Sequence, residues 1–404
     1  MSGIKDDLAL LRDRTFAVFF SARAIANLGG SFAPVALAFS VLHLPHGSPE
    51  LLSLVLACES IPMVALMLVG GVIADRLPRS RVLLAGMVLS AASFFCLGFM
   101  MLSHWTPTLA LGAASALSGV GIALLYPALT GMIPDLLHAD QLQAGNALLS
   151  VARSGAQIFG LVSSGAVVAL VGGSWALIMG ASLFLVSGVL TLWLPVGPAH
   201  PDGLSARDAL ADLRDGWREF IGQEWLWVVV AEWSVLVLLF DAGIGVIGPV
   251  LADRELGGAG PWSLVLAGEA VGSVIGGLIG MRLRPRRPIF VAVMATVVGV
   301  PLPFISLGLG WPLAIAIGGM VLTGLAFGMF GVLWSTTMQR LIAPDALSRV
   351  ASYDALGSLI FQPVGLLIGG PATVLLGARP AMVVCGAALA VGCFVPLVSR
   401  SVRT

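Results

Sequence analysis

The chain has 404 residues, 58% of them hydrophobic and only 10% charged, with a mean hydropathy of +1.00. A soluble protein usually carries about 25% charged residues, so composition excludes a water-soluble globular protein. Its 21 basic and 21 acidic side chains give a net charge of zero; no nucleic-acid partner is expected, and the information lies in where each charge sits.

The N-terminus, MSGIKDDLALLRDR, is charged and lacks a small-residue cleavage site, so no removable signal peptide is expected. Apolar runs follow that are long enough to cross about 30 Å of hydrocarbon as helices. Spans 1 to 6 are read at 15–42, 50–74, 82–103, 107–133, 144–171 and 174–196. Spans 7 to 12 are read at 225–252, 261–281, 288–308, 312–339, 350–377 and 380–398. A closed barrel would show alternating segments of about ten residues instead. The very short breaks at 103–107, 171–174 and 308–312 predict tight helical hairpins. The expected fold class is an all-α membrane protein with twelve transmembrane helices in two six-helix halves.

The longest polar stretch, 197–224, separates residues 1–196 from residues 225–404. Within it, Leu210, Leu213, Trp217 and Phe220 fall on one helical stripe, and Ser205 with Asp208 reads as a capping box. An amphipathic helix on the inner membrane surface is the expectation. If both termini are cytoplasmic, the inner segments hold 17 Lys and Arg and the outer loops only Arg254 and Arg379, as the positive-inside rule requires. Trp105, Trp175, Trp262 and Trp311 then fall near outer span ends, where an interfacial belt would place them. All four cysteines lie in apolar stretches and read as small buried hydrophobes.

The two halves repeat. GGVIADRLPRSR at 70–81 and GGLIGMRLRPRR at 276–287 are identical at six of twelve positions, and each closes a span. Gly160, Gly165 and Gly172 in span 5 recur as Gly365, Gly370 and Gly377 in span 11. Gly30, Pro34 and Val35 in span 1 recur as Gly245, Pro249 and Val250 in span 7. Six spans is an even number, so both halves begin on the same side and the repeats are parallel.

Several ionisable residues fall inside spans: Arg23, Glu59, Arg153, Glu232, Asp241 and Glu269. An intramembrane charge costs about 2.5 kcal/mol or more, so each should face protein or a water-filled cavity. Four acids against two arginines cannot pair one to one, so at least one carboxyl group is expected to carry a proton part of the time. Glu59 and Glu269 sit at similar depth in the equivalent spans 2 and 8, and Asp241 reaches that depth from the other direction. We read Glu59, Asp241 and Glu269 as proton-coupling candidates with Arg23 as counter-charge. Static pairing that fixes helix packing is the alternative, with Glu232 facing lipid or the interface. No HExxH, Walker A loop or G-x-S-x-G elbow is present, so neither a polytopic membrane enzyme nor an ATP-driven pump is supported. No metal or cofactor is expected, with a proton gradient as the energy source.

On these residues the chain resembles the major facilitator superfamily. The family's loop 2–3 signature, Gly-x-x-x-Asp-Arg-x-Gly-Arg, falls on Gly71, Asp75, Arg76 and Arg79, with Pro78 in place of the second Gly. The resemblance covers essentially the whole chain, and stretches such as IPDLLHADQLQAGNALLSVARS look like the enterobactin-exporter and macrolide-efflux branch in its actinobacterial form. It implies that Asp75, Arg76 and Arg79 form a conformational latch toward the N-terminal end of span 11. It also implies that spans 1, 4, 7 and 10 line a cavity, making Asn27, Tyr126, Asp241, Phe330 and Trp334 candidate liners. Gly30 stands where many relatives carry a span-1 acid, and the branch's Gly/Pro motif in span 5 is reduced to Gly160 and Gly165, expected to pack against span 8. The implied function is proton-coupled efflux of a small amphipathic organic compound (a drug, siderophore or other natural product) by a monomer in the cell membrane. Import or facilitated passage of a metabolite or lysolipid is the alternative.

Overall fold

The computed structural model describes residues 10–138, 141–195, 217–399 and 402, and their side chains except at 67–76, 126–127, 130–131, 134, 344–345 and 348–349. Among the described residues there is no strand, and twelve helical stretches are long and apolar enough to cross a membrane. They run Arg14–Leu42, Pro49–Arg76, Arg79–Leu102, Thr108–Leu136, Leu142–Val171 and Gly173–Thr191, then Glu224–Leu256, Ala259–Arg282, Pro288–Gly308, Leu313–Leu341, Val350–Leu376 and Ala378–Val398. Each falls on one of the twelve expected spans.

Several spans are not single α-helices, and the cause is local. Span 1 divides into Arg14–Gly30 and Ala33–Leu42, where Gly29 and Gly30 precede Pro34. Span 9 divides at Val300, because Pro301 and Pro303 supply no N–H to the preceding turn. The helix that enters span 11 begins at Pro344 and ends at Leu359, and a second helix starts at Gln362 with Pro363 in its first turn. Span 7 widens into π-helix over Asp241–Ile247 and again over Ala252–Leu256.

The repeated glycines acquire physical roles. Gly172 and Gly377 each join two antiparallel spans in a single-residue hinge at φ +94° and +86°, a region that favours glycine. Gly160 leaves no room for a Cβ against Ser31 and Leu28 of span 1, and Gly365 none against Leu238 of span 7. Span 5 therefore packs on span 1 as span 11 packs on span 7. The nearest neighbours of Gly160 thus belong to its own half. Gly165 is buried on the same helix, and the neighbouring Ser164 hydroxyl donates to the Phe32 carbonyl (3.0 Å).

The chain falls into two compact units, residues 1–46 with 55–203 and residues 47–54 with 204–404. In the first, Phe16, Phe19, Met87, Phe94 and Phe184 form the buried centre, with Phe94 and Phe184 edge to face at 5.6 Å. In the second, Trp225, Trp334, Phe330 and Trp233 form a run of ring contacts at 5.4, 5.6 and 4.2 Å. Residues 47–54 group with the second unit because the Gly370 N–H donates to Ser53 Oγ (2.6 Å).

Two further expectations change, and a third falls mostly outside the described residues. Trp262 is fully buried, seated where Gly248 of span 7 has no side chain, so it is a core residue and no part of an interfacial belt; Trp105, Trp175 and Trp311 are exposed. Cys96 is exposed, while Cys385 and Cys393 are buried and Cys58 is half-buried. Leu210, Leu213, Ser205 and Asp208 lie outside the described residues; residues 217–222 are helical, and Trp217 and Phe220 stack on each other (5.7 Å) and against Tyr353. That end of the stripe has a protein partner in span 11.

Candidate functional site

Glu59 and Glu269 occupy equivalent environments built by equivalent glycines. Gly119 of span 4 packs against the Glu59 carbonyl, and Gly324 of span 10 packs against the Glu269 carbonyl, in both cases too closely for any Cβ. Close backbone approach of this kind is what small residues permit in membrane helix pairs. It fixes each glutamate at a helix crossing rather than on a lipid-facing side.

The residue before each glycine then separates the two sites. Before Gly119 stands Ser118, whose hydroxyl donates to Glu59 Oε1 (2.9 Å). Before Gly324 stands Thr323, whose hydroxyl instead donates to the backbone carbonyls of Gly299 (3.0 Å) and Gly319 (3.1 Å). Among the described residues Glu269 has no such hydroxyl; it interacts electrostatically with Asp241, which also receives a side-chain hydrogen bond from Gln362. Asp241 opens the π-helical turn of span 7; such bulges recur at functional sites because they re-aim side chains. Asp241 and Glu269 thus lie within electrostatic range of each other in the second unit, while Glu59 sits in the first with Ser118.

Arg23 and Asn27 line a cavity of about 560 Å³ inside the first unit, together with Arg153, Gln157, Phe94 and Phe184. Among the described residues no acidic side chain lines it. The Asn27 Nδ2 is buried and has no hydrogen-bond partner among the described residues, so a donor is held ready on this wall. Gly30 lies on the same wall, where a Cβ would make only an ordinary contact with Phe184 at 3.6 Å.

The other candidates are placed as follows. Phe330 and Trp334 are buried in the second unit's core, and the Trp334 Nε1 donates to Asp354 (3.0 Å). Glu232 is buried rather than facing lipid, and accepts from the Thr296 hydroxyl of span 9 (3.1 Å). Arg79 makes a two-pronged ion pair with Asp135 at the end of span 4, both contacts 2.9 Å. Gly71, Asp75 and Arg76 lie on the helix Pro49–Arg76, and their side chains, like that of Tyr126, lie outside those described.

Sequence reasoning missed Ser118, Gln362, Asp354, Gln157 and Asp135. Ser118-Gly119 and Thr323-Gly324 were readable as a repeated hydroxyl–glycine pair between spans 4 and 10. Asp354 falls inside the span expected at 350–377 and was legible as one more intramembrane acid. Nothing local marks Asp135 as the partner of a residue 56 positions away.

Twelve spans in two matching halves, with polar side chains held inside each, define a membrane transporter rather than an enzyme. The chain belongs to the Major Facilitator Superfamily, whose family model matches residues 15–358. It is 21% identical to the uncharacterised MFS-type transporter YfiS of Bacillus subtilis (strain 168) over 393 residues, covering 95% of this chain and 92% of that one. It is 25% identical to the enterobactin exporter EntS of Shigella boydii serotype 4 over 377 residues, covering 90% and 88%. Its fold matches a solved structure of the nucleoside transporter NupG with TM-score 0.81 at 13% identity, covering 95% and 99%. A POT family transporter matches with TM-score 0.74 at 12% identity, covering 95% and 96%.

Proposed function

We propose that the protein exports a small amphipathic organic compound from the cytoplasm by alternating access, driven by proton entry, with Asp241 and Glu269 as the proton-carrying pair. The observation that carries this reading is the electrostatic interaction of Asp241, on the π-helical turn of span 7, with Glu269 of span 8, with Gln362 as a polar neighbour of Asp241. Neighbouring carboxyl groups titrate as a pair and can hold one proton between them. A proton taken up there on one side of the membrane and released on the other is what coupling requires. The donors of the first unit's cavity, Arg23, Asn27, Arg153 and Gln157, with Phe94 and Phe184, suit a ligand that has polar oxygens on an apolar frame. Similarity to an exporter of enterobactin supports the outward direction. The arginine distribution supports cytoplasmic termini in the cell membrane.

The test uses purified protein in liposomes with an internal pH dye, an imposed proton gradient and a panel of amphipathic compounds. Compound-dependent proton flux that Asp241→Asn abolishes, with the variant still folded, is the expected result. Compound movement with no proton flux in the unaltered protein would sink the coupling and leave facilitated passage.

A further inference from the structure

A second cavity, of about 810 Å³, opens in the other unit at the end where spans 8 and 10 finish and spans 7 and 9 begin. Arg284 and Arg287 of the 8–9 connection and Arg340 of span 10 line it, and among the described residues no acidic side chain does. All three guanidinium-bearing residues are exposed. Guanidinium groups are weakly hydrated and grip phosphate oxygens in pairs, so three arginines lining one cavity suit a phosphate anion.

The rest of the lining decides between a soluble anion and an amphipathic one. Trp225 and Leu333 form a buried apolar floor. At the mouth, Met281, Leu283 and Leu341 are 64%, 39% and 57% exposed. Inorganic phosphate gains nothing from such a rim, whereas acyl chains cover it and remove its apolar area from water. The cavity lies at the arginine-rich ends of the spans, where an anionic leaflet surface concentrates such headgroups.

We propose that this cavity binds an anionic phospholipid, its phosphodiester on Arg284, Arg287 and Arg340 and its chains against the apolar mouth. The site is separate from the proposed proton pair. It rests on the proposed orientation only for the choice of leaflet, and the test below reads binding without transport.

Full-length protein in mild detergent is titrated with phosphatidylglycerol, and retained lipid is counted by native mass spectrometry. Phosphatidylcholine and free glycerol phosphate serve as the other arms. Phosphatidylglycerol should be retained, and retention should fall steeply as salt rises, because charges at a surface are screened. Each Arg→Gln change at 284, 287 or 340 should weaken retention roughly fivefold, as expected from about one surface cation's worth of attraction. Arg81→Gln, a basic residue of the other unit outside the cavity, should change nothing. The triple lysine variant, R284K/R287K/R340K, should keep only the salt-dependent part of the binding and lose the paired contacts, and an unchanged melting temperature in each glutamine variant shows that its loss is not misfolding. Equal retention of phosphatidylcholine, or retention insensitive to salt and to all three substitutions, overturns the proposal. Displacement by glycerol phosphate at equal concentration also overturns it, by assigning the cavity to a soluble anion.

Discussion

Glu59 and Glu269 show how one architecture is used twice and diverges by a single neighbour. Both lie at a crossing where a glycine of the fourth span in the half meets their backbone. In the first half the adjacent hydroxyl, Ser118, turns to the carboxylate. In the second half the hydroxyl of Thr323 turns to backbone carbonyls, and Glu269 is left to Asp241. The backbone frame is shared, while the partner of the acid is set by which acceptor the neighbouring hydroxyl takes. A satisfied Glu59 suits a packing role, and a Glu269 beside another acid suits a group that gains and loses a proton.

The largest effects should come from attacking what the halves share. Gly119→Val and Gly324→Val both place a branched side chain against a backbone carbonyl, and overpacking of this kind costs about 1–3 kcal/mol or more. Both variants should show a markedly lower melting temperature in detergent, by similar amounts; a large loss in one half alone would break the equivalence. Next come the acids themselves. Asp241→Asn and Glu269→Gln should lower compound-driven proton flux about 100-fold, as loss of a proton-transferring side chain does. Glu59→Gln should stay within about threefold, since an amide oxygen still accepts from Ser118, and removal of an interaction not used in the cycle leaves the rate intact. Equal loss in Glu59→Gln would show that the hydroxyl does not distinguish the two sites.

Ser118→Ala sharpens the contrast on stability. It removes one side-chain hydrogen bond inside a membrane protein, worth about 0.6 kcal/mol on average, and should give a small fall in melting temperature with transport retained. The smallest effect is expected from Arg79→Gln. Its ion pair with Asp135 is partly exposed, with the Asp135 side chain 46% accessible, and such surface pairs contribute about 0–1 kcal/mol. A larger change in transport than in stability there would assign Arg79 to the conformational cycle.

The solvent, the number of spans and the repeat were legible in the chain, because these depend on properties that sum along it. Twenty apolar residues demand a helix wherever they occur in a bilayer. A repeated Gly172 and Gly377 marks the same hinge, because φ near +90° excludes other side chains in any context. Glu59, Asp241 and Glu269 stood out as costly charges for the same reason.

Tertiary structure alone decided who meets whom. Gly160 packs on span 1, Trp262 fills the space beside Gly248, and Phe330 and Trp334 belong to a packed aromatic run. Glu232 turned inward to Thr296 of span 9, although a lipid-facing or interfacial position was open to it from sequence. Each of these outcomes depends on which neighbour occupies the facing side of a helix. A helix in hydrocarbon can be apolar all round, so its periodicity carries no label for the buried side. That label comes only from the close fit of small and large side chains on facing helices, where a glycine such as Gly119 or Gly324 lets two backbones approach and fixes what every residue around it can reach.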